Sequence, residues 1–372
     1  MTSCPKTNQS GSVEVSEKIV DTIVNAAFTA FTNDLGRPFQ ASARNIRSIV
    51  SSWNPLLHDF TSDMDPCEFH DSYVSSQFFK RYFYSDELGV TKSLQDEAYQ
   101  KFQSVLEEGR LFNKTFQKTL EDNPFLHQVV SYARWEVARV LGDFDILEVF
   151  ENSCHGPNAT TDIKRRNASL DAKTTSISGN VASIEIWRRY ICWNSNLKTA
   201  LSSLLPEPGC SEPSVVEANH LSFVPKSFES LRTMSVEPTL NMFFQLGTGK
   251  VIAQRLMRCN IDLSTQPEVH RRLALLASLY PECQLATIDW SQASDRLFTG
   301  LIYELLPIDW FHWLMAIRSS HSKVTHGSET TLHDLPMIGT MGNGFTFPLE
   351  TLVYYSIIFG LCQALGLDAF IS

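Results

Sequence analysis

Leu285-Ala286-Thr287-Ile288-Asp289-Trp290-Ser291-Gln292-Ala293-Ser294-Asp295 is the stretch that decides how this chain reads. The apolar run Leu285 to Ile288 predicts a short strand, and Asp289 sits where it ends. Ser291 can cap a following helix with Leu297, Leu301, Ile302 and Leu305 on its buried side and Pro307 closing it. One carboxylate then stands at a strand tip, and a second, Asp295, about a turn into a helix. Rigid oxygen donors suit Mg²⁺ and phosphoryl transfer, where catalysis is mostly positioning and charge neutralisation. The plainer alternative makes Asp289 a helix cap and Asp295 a solvated side chain, so neighbouring motifs must decide.

Downstream, Ile338-Gly339-Thr340-Met341-Gly342-Asn343-Gly344-Phe345-Thr346-Phe347-Pro348 predicts a loop entering a helix whose first turn holds Pro348 and Glu350. Gly342 and Gly344 let the backbone around Asn343 approach a ligand closely. An amide that donates and accepts suits a ribose hydroxyl, although Asn-Gly also marks an ordinary hairpin turn. Upstream, Lys226 and Arg232 place two cations on a strand-like segment ending at Glu237-Pro238. They suit a nucleoside triphosphate and its departing pyrophosphate, or are simply solvated strand charges. The run Lys164-Arg165-Arg166 is open in the same way, between template contact and a soluble loop.

The 372 residues suffice for two domains or one large enzyme core. With 43% apolar and 19% charged residues, the composition argues against disorder and fibrous repeats. No repeat or low-complexity tract is present. The polar opening Met1 to Ser12 lacks the apolar core of a secretory leader, which favours an intracellular protein. Eight scattered cysteines form no C-x-x-C pair, so reduced and mostly buried thiols are expected rather than a zinc site. The net charge of −10 is awkward for a nucleic-acid binder, but it is uneven. Residues 1–149 carry 14 basic against 21 acidic groups, residues 150–260 carry 12 against 9, and residues 261–372 carry 5 against 11. The net-basic third lies just ahead of the carboxylates, the order expected of a basic wall facing an acidic metal site.

Helical spacing predicts helices over residues 13–31, 94–120, 124–141, 180–205, 240–257 and 267–279, with aromatic-rich mixed structure over 69–84. Pro124 after Asn123 marks a helix start, and Pro206-Glu207-Pro208-Gly209 marks a break. His220 to Pro238 alternates like paired strands. Leu349 to Leu367 is apolar, but Gln363, two glycines and the lack of a basic flank favour a helix buried under a sheet over a membrane span.

Four blocks in order resemble the replicases of positive-strand RNA bacteriophages, the leviviruses. They are VPKSFESLRTMSVEPTLNMFFQLGTGKVIAQRL, IDLSTQPEVHRRLALLAS, IDWSQASD and MGNGFTFPLETL, and the resemblance spans about residues 220–366. Upstream, only the Gly156-Pro157 turn and the helical character are similar. The resemblance implies an RNA-dependent RNA polymerase of α+β class with a right-hand fold. Residues 1–150 would be a helical N-terminal region and the start of the fingers, 151–280 the fingers with the basic nucleotide channel, and 281–372 the first half of the palm.

By the same resemblance, Asp289 is the catalytic, metal-binding aspartate of a two-Mg²⁺ site. Asp295 and Asn343 sense the ribose 2′-hydroxyl, Gly342 and Gly344 give the loop mobility, and Lys226 and Arg232 contact the triphosphate. Trp290 stands where an aliphatic residue is usual, and Thr340 where serine is common. Family members continue to a Gly-Asp-Asp hairpin, which does not occur before Ser372, so the end of the palm and the thumb are expected to be missing and the chain catalytically dead or nearly so. Gly142-Asp143-Phe144-Asp145 lies upstream in a helical region and is rejected as that hairpin. Implied partners are a single-stranded RNA template, nucleoside triphosphates, and host elongation factors Tu and Ts with a ribosomal protein; no membrane is implied. The implied location is the cytoplasm of an infected bacterial host. Two alternatives remain. A reverse transcriptase would block the 2′-hydroxyl that Asp295 and Asn343 welcome. A non-catalytic RNA-binding or replicase-assembly protein would be indifferent to Asp289.

Overall fold

The computed structural model describes residues 92–196, 199, 213–227, 230–283, 285–286, 288, 290–367 and 371. The helix expected over 13–31, the mixed segment 69–84, the break at 206–209 and Asp289 itself lie outside the described residues. The fold is helix-rich α+β. The chain divides into two compact units, residues 1–98 with 223–232, and residues 99–222 with 233–372.

Long helices open the described chain: α1 (Lys92–Asp122) and α2 (Pro124–Leu141). The Asn123 side chain accepts from the Leu126 N–H at 3.0 Å and Pro124 fills the first position of α2, so an unpaired amide is satisfied and one donor is absent by design. Gly142 ends α2 at φ 59°, and the Asp145 carboxylate caps α3 (Ile146–Asn152) through the Leu147 N–H at 2.8 Å. Gly142-Asp143-Phe144-Asp145 is therefore a helix-to-helix connection. There follow α4 (Leu170–Thr175), β1 (Ser178–Gly179) and α5 (Val181–Trp193), which realises the opening part of the helix expected over 180–205. Asn180 caps α5 and also donates to the Ala316 and Arg318 carbonyls, both at 2.9 Å, tying α5 to the end of a later helix.

The expected strand pair is β3 (Ala218–Ser227) and β4 (Ser230–Val236), preceded by β2 (Ser214–Val215), which runs parallel to β1. Within a sheet of order β4-β3-β5-β6, β3 pairs in parallel with β5 (His321–His326), Ala218 opposite His321 through Leu221 opposite Val324. The β5 strand pairs antiparallel with β6 (Glu329–Asp334). Helix α6 (Thr239–Arg258) starts directly after Pro238, and its Leu240, Phe244, Ile252 and Leu256 are fully enclosed. It packs against α2, α3, α5 and two later helices, α9 (Ile308–Ile317) and α10 (Thr346–Leu365), and so forms the centre of the core. Helix α7 (Gln266–Leu279) matches its expected span but buries none of its residues.

Four expectations need correction. Leu285, Ala286 and Ile288 are exposed and in no strand, since strand geometry needs a paired ladder and no described strand lies alongside them. The helix expected from Ser291 is broken. Gln292 adopts a left-handed conformation, Ala293–Arg296 form a 3₁₀ turn, and α8 spans Thr299–Leu305. Leu297, Ile302 and Leu305 are nevertheless buried as expected. The apolar C-terminal helix, α10, packs chiefly along α2 rather than under a sheet, because Gly360 lets the two backbones touch: an added Cβ would lie 2.3 Å from the Val129 carbonyl. By length and hydropathy α10 is also the one described helix able to cross a membrane. Lastly, the described cysteines (154, 192, 259, 283 and 362) are free, but none is buried.

Candidate active site

The turn carrying Asp295 is held from two sides. Arg296 donates to Glu108 of α1 through Nε at 3.1 Å and Nη2 at 2.9 Å, and through Nη1 to the Ser291 carbonyl at 2.6 Å. From α10, the Tyr354 hydroxyl donates to the Ala293 carbonyl at 3.0 Å, and the Tyr354 ring stacks on Trp290 at 4.8 Å. An aromatic at position 290 thus gives the turn a packing anchor.

Asp295 is brought to the amide loop, as the sequence led us to expect, though from a 3₁₀ turn. Its Oδ1 accepts from the Met341 N–H at 3.4 Å. Burial pushes its carboxyl up to about 6, against the opposing pull of the Met341 N–H and Arg296. Glu350, in the second turn of α10, is also pushed up, by burial and then by the Asp295 charge. At both carboxylates burial outweighs whatever nearby donors and charges offset, so each holds its proton more tightly than a free side chain.

Asn343 is buried, 9% exposed, and its amide has a defined orientation. The Thr340 N–H donates to its Oδ1 at 2.8 Å, and the Thr340 hydroxyl does so at 2.9 Å. A backbone N–H can only donate, so the oxygen must face Thr340. Both Thr340 contacts fall on Oδ1, so Nδ2 is the group left to act as a donor, where the sequence suggested a donor and acceptor together. The two neighbouring glycines serve close packing. Gly342 has φ 119°, and an added Cβ would lie 2.2 Å from the Ser235 carbonyl. At Gly344 it would lie 2.6 Å from the Leu246 amide nitrogen. The loop is clamped at both glycines, and mobility is not what they explain.

A buried polar cluster missed by sequence reasoning supports this loop. Glu237 is fully buried at the end of β4 and accepts from Asn219 (2.7 Å), Gln245 (3.1 Å) and Ser319 (2.8 Å). Burial raises its proton affinity, while those three donors and the Arg318 charge lower it. Gln245 also donates to the Ile317 carbonyl at 3.0 Å and accepts from the Gly344 N–H at 3.2 Å. Arg318, pushed down to about 10 by burial, donates to the Leu335 and Met337 carbonyls at the base of the same loop. The available signal was Glu237-Pro238 directly before a helix rich in buried polar residues.

Lys226 is exposed near the end of β3, and Arg232 is half-buried in β4, both in the hairpin tip that belongs to the other compact unit. Arg165 and Arg166 lie in an exposed 3₁₀ turn. Among the described residues no three His, Cys, Asp or Glu side chains converge. The described donors are the hard oxygens of Asp295 and Glu350, which fit Mg²⁺ by type but do not complete a site.

The α+β scaffold thus holds a buried carboxylate beside a loop that carries an oriented amide. The chain belongs to the RNA replicase, beta-chain family, whose model matches residues 25–370. Among individual relatives, the RNA-directed RNA polymerase subunit beta of Escherichia virus Qbeta is 28% identical over 347 residues, covering 91% of this chain and 54% of the relative. That of Enterobacteria phage SP is 39% identical over 151 residues, covering 41% and 25%. The RNA-directed RNA polymerase beta chain of Escherichia phage MS2 is 39% identical over 144 residues, covering 39% and 25%. The chain spans about half the length of the first two curated relatives it matches, 54% and 50%.

Proposed function

We propose that this chain is part of an RNA-dependent RNA polymerase that copies a single-stranded viral RNA in the cytoplasm of an infected bacterium, and that it contributes fingers and palm segments of a right-hand fold. The observation that carries this reading is Asp295 hydrogen-bonded to the loop that presents the Asn343 amide. Family membership supports it, as do relatives named RNA-directed RNA polymerase.

In this mechanism the growing 3′-hydroxyl attacks the α-phosphate of a paired nucleoside triphosphate. Mg²⁺, bound by Asp289 with further acidic residues, would supply charge neutralisation at the attacking and leaving oxygens. Lys226 and Arg232 would offset negative charge on the triphosphate. Asp295, ionised, would accept from the ribose 2′-hydroxyl, while Asn343 Nδ2 donates to the same oxygen. A hydroxyl can satisfy both at once and a deoxyribose can satisfy neither. Elongation factors Tu and Ts and a ribosomal protein are proposed as assembly partners.

The test uses the complete reading frame that carries this sequence. Asn343→Ala should reduce the preference for ribo- over deoxyribonucleoside triphosphates by about tenfold, the worth of one well-placed hydrogen bond. An unchanged preference in competing incorporation assays would reduce Asn343 to a turn residue. A higher rate with deoxyribonucleotides in the parent enzyme would favour a reverse transcriptase instead.

A further inference from the structure

Ser235, near the end of β4, contacts the amide loop at three points. Its N–H donates to the Met341 carbonyl at 2.7 Å, its carbonyl faces Gly342 closely enough to exclude a Cβ, and its hydroxyl lies 2.7 Å from that of Thr340. Ser235 is 3% exposed.

Thr340 and Met341 carry these contacts in two directions. The Thr340 hydroxyl lies 2.9 Å from Asn343 Oδ1, which can only accept. The Ser235 hydroxyl oxygen accepts from the Thr340 hydroxyl at 2.7 Å, so Thr340 stands between Ser235 and Asn343 Oδ1, which the Thr340 N–H also holds at 2.8 Å. The relay Ser235–Thr340–Asn343 fixes the amide with Oδ1 inward and Nδ2 left to act as a donor. The peptide of Met341 is gripped by Ser235 at its carbonyl, and its own N–H donates to Asp295 at 3.4 Å. One residue on β4 thereby contacts the supports of both Asn343 and Asp295.

We propose that Ser235 is a positioning residue for ribose selection, acting through Thr340 on the Asn343 amide and through Met341 on Asp295. The proposal rests on the sugar-sensing reading of Asp295 and Asn343. It makes selectivity depend on a strand more than a hundred residues upstream of the amide, 105 from Ser235 to Thr340.

Primer extension with the complete enzyme, comparing ATP with dATP, tests it through kcat/KM ratios. Ser235→Ala should lose about five- to tenfold of the ribonucleotide preference, mainly as a higher KM for ATP, as expected for one lost hydrogen bond in the relay. Ser235→Thr, which keeps the hydroxyl, should restore most of it. The double variant Ser235→Ala/Asn343→Ala should be no less selective than Asn343→Ala alone, because Ser235→Ala removes only the hydroxyl arm, which acts on that amide, and keeps the backbone contact to Met341. Should Ser235→Ala fail to fold, Thr340→Val breaks the same relay, with Thr340→Ser as its hydroxyl-bearing control. Unchanged selectivity in the relay variants, alongside a loss in Asn343→Ala, overturns the positioning role and leaves the functional reading intact. Unchanged selectivity in Asn343→Ala itself overturns both.

Discussion

Asp295 illustrates at the residue scale how a site can be built against local stability. Its folded carboxyl titrates at about 6, above the ordinary 3.8, because burial opposes the charge. The folded chain therefore holds this proton more tightly than the unfolded one. Its stabilising contribution is complete below about pH 4 and is lost as pH rises through about 6. Asp295→Asn removes the buried charge while keeping an acceptor for the Met341 N–H. We expect the variant to gain about 2 kcal/mol of stability at pH 8 and little at pH 4, while ribonucleotide incorporation falls about tenfold. Thermal unfolding at the two pH values, read beside nucleotide incorporation, checks both parts. In the parent enzyme, ribose selectivity should fall as pH drops through about 6, since a protonated Asp295 accepts poorly.

Helix α10 shows at the element scale why an apolar sequence is not enough to place a helix. Its composition allowed a membrane span or a sheet-covering helix, yet it lies along α2 because Gly360 meets the Val129 carbonyl and the Ala133 amide. A Cβ at that point would come within 2.3 Å of one and 3.0 Å of the other, and backbone cannot step aside as a flexible side chain can. Gly360→Ala should therefore cost about 1–3 kcal/mol, read as a lower urea midpoint at unchanged slope. A neutral result would mean that the two helices are held apart in solution. By contrast, α2 was legible in the amino-acid sequence, because Asn123, Pro124 and the helical spacing that follows are local signals that need no distant partner. The broken segment 291–305 was not legible. Its buried leucines suited one continuous helix, and only the contacts to Glu108, Tyr354 and Met337 favour a turn there.

Across the whole molecule, a net charge of −10 leaves little long-range attraction for RNA, so the proposed function requires local basic elements to supply RNA affinity. Asp289 should then matter for chemistry and not for affinity. In the complete enzyme, Asp289→Asn should abolish RNA synthesis while RNA affinity at fixed salt changes by about twofold or less. Parallel filter-binding and elongation assays separate the two. A variant that still elongates would remove Asp289 from metal binding.

Local patterns in the sequence determined most helix spans, the β3–β4 pair, and the Asp295 and Asn343 motifs, because caps, periodicity and turn residues act over a few positions. Membership of a replicase family was readable from four such blocks in order. Only the tertiary structure decided which way the Asn343 amide points, why Gly342 and Gly344 cannot be larger, and that Ser235, Glu237 and Gln245 support the loop. The amide is turned by Thr340 three residues away, but the glycine contacts and the support from Ser235 and Gln245 join segments about a hundred residues apart, a geometry that no local pattern encodes.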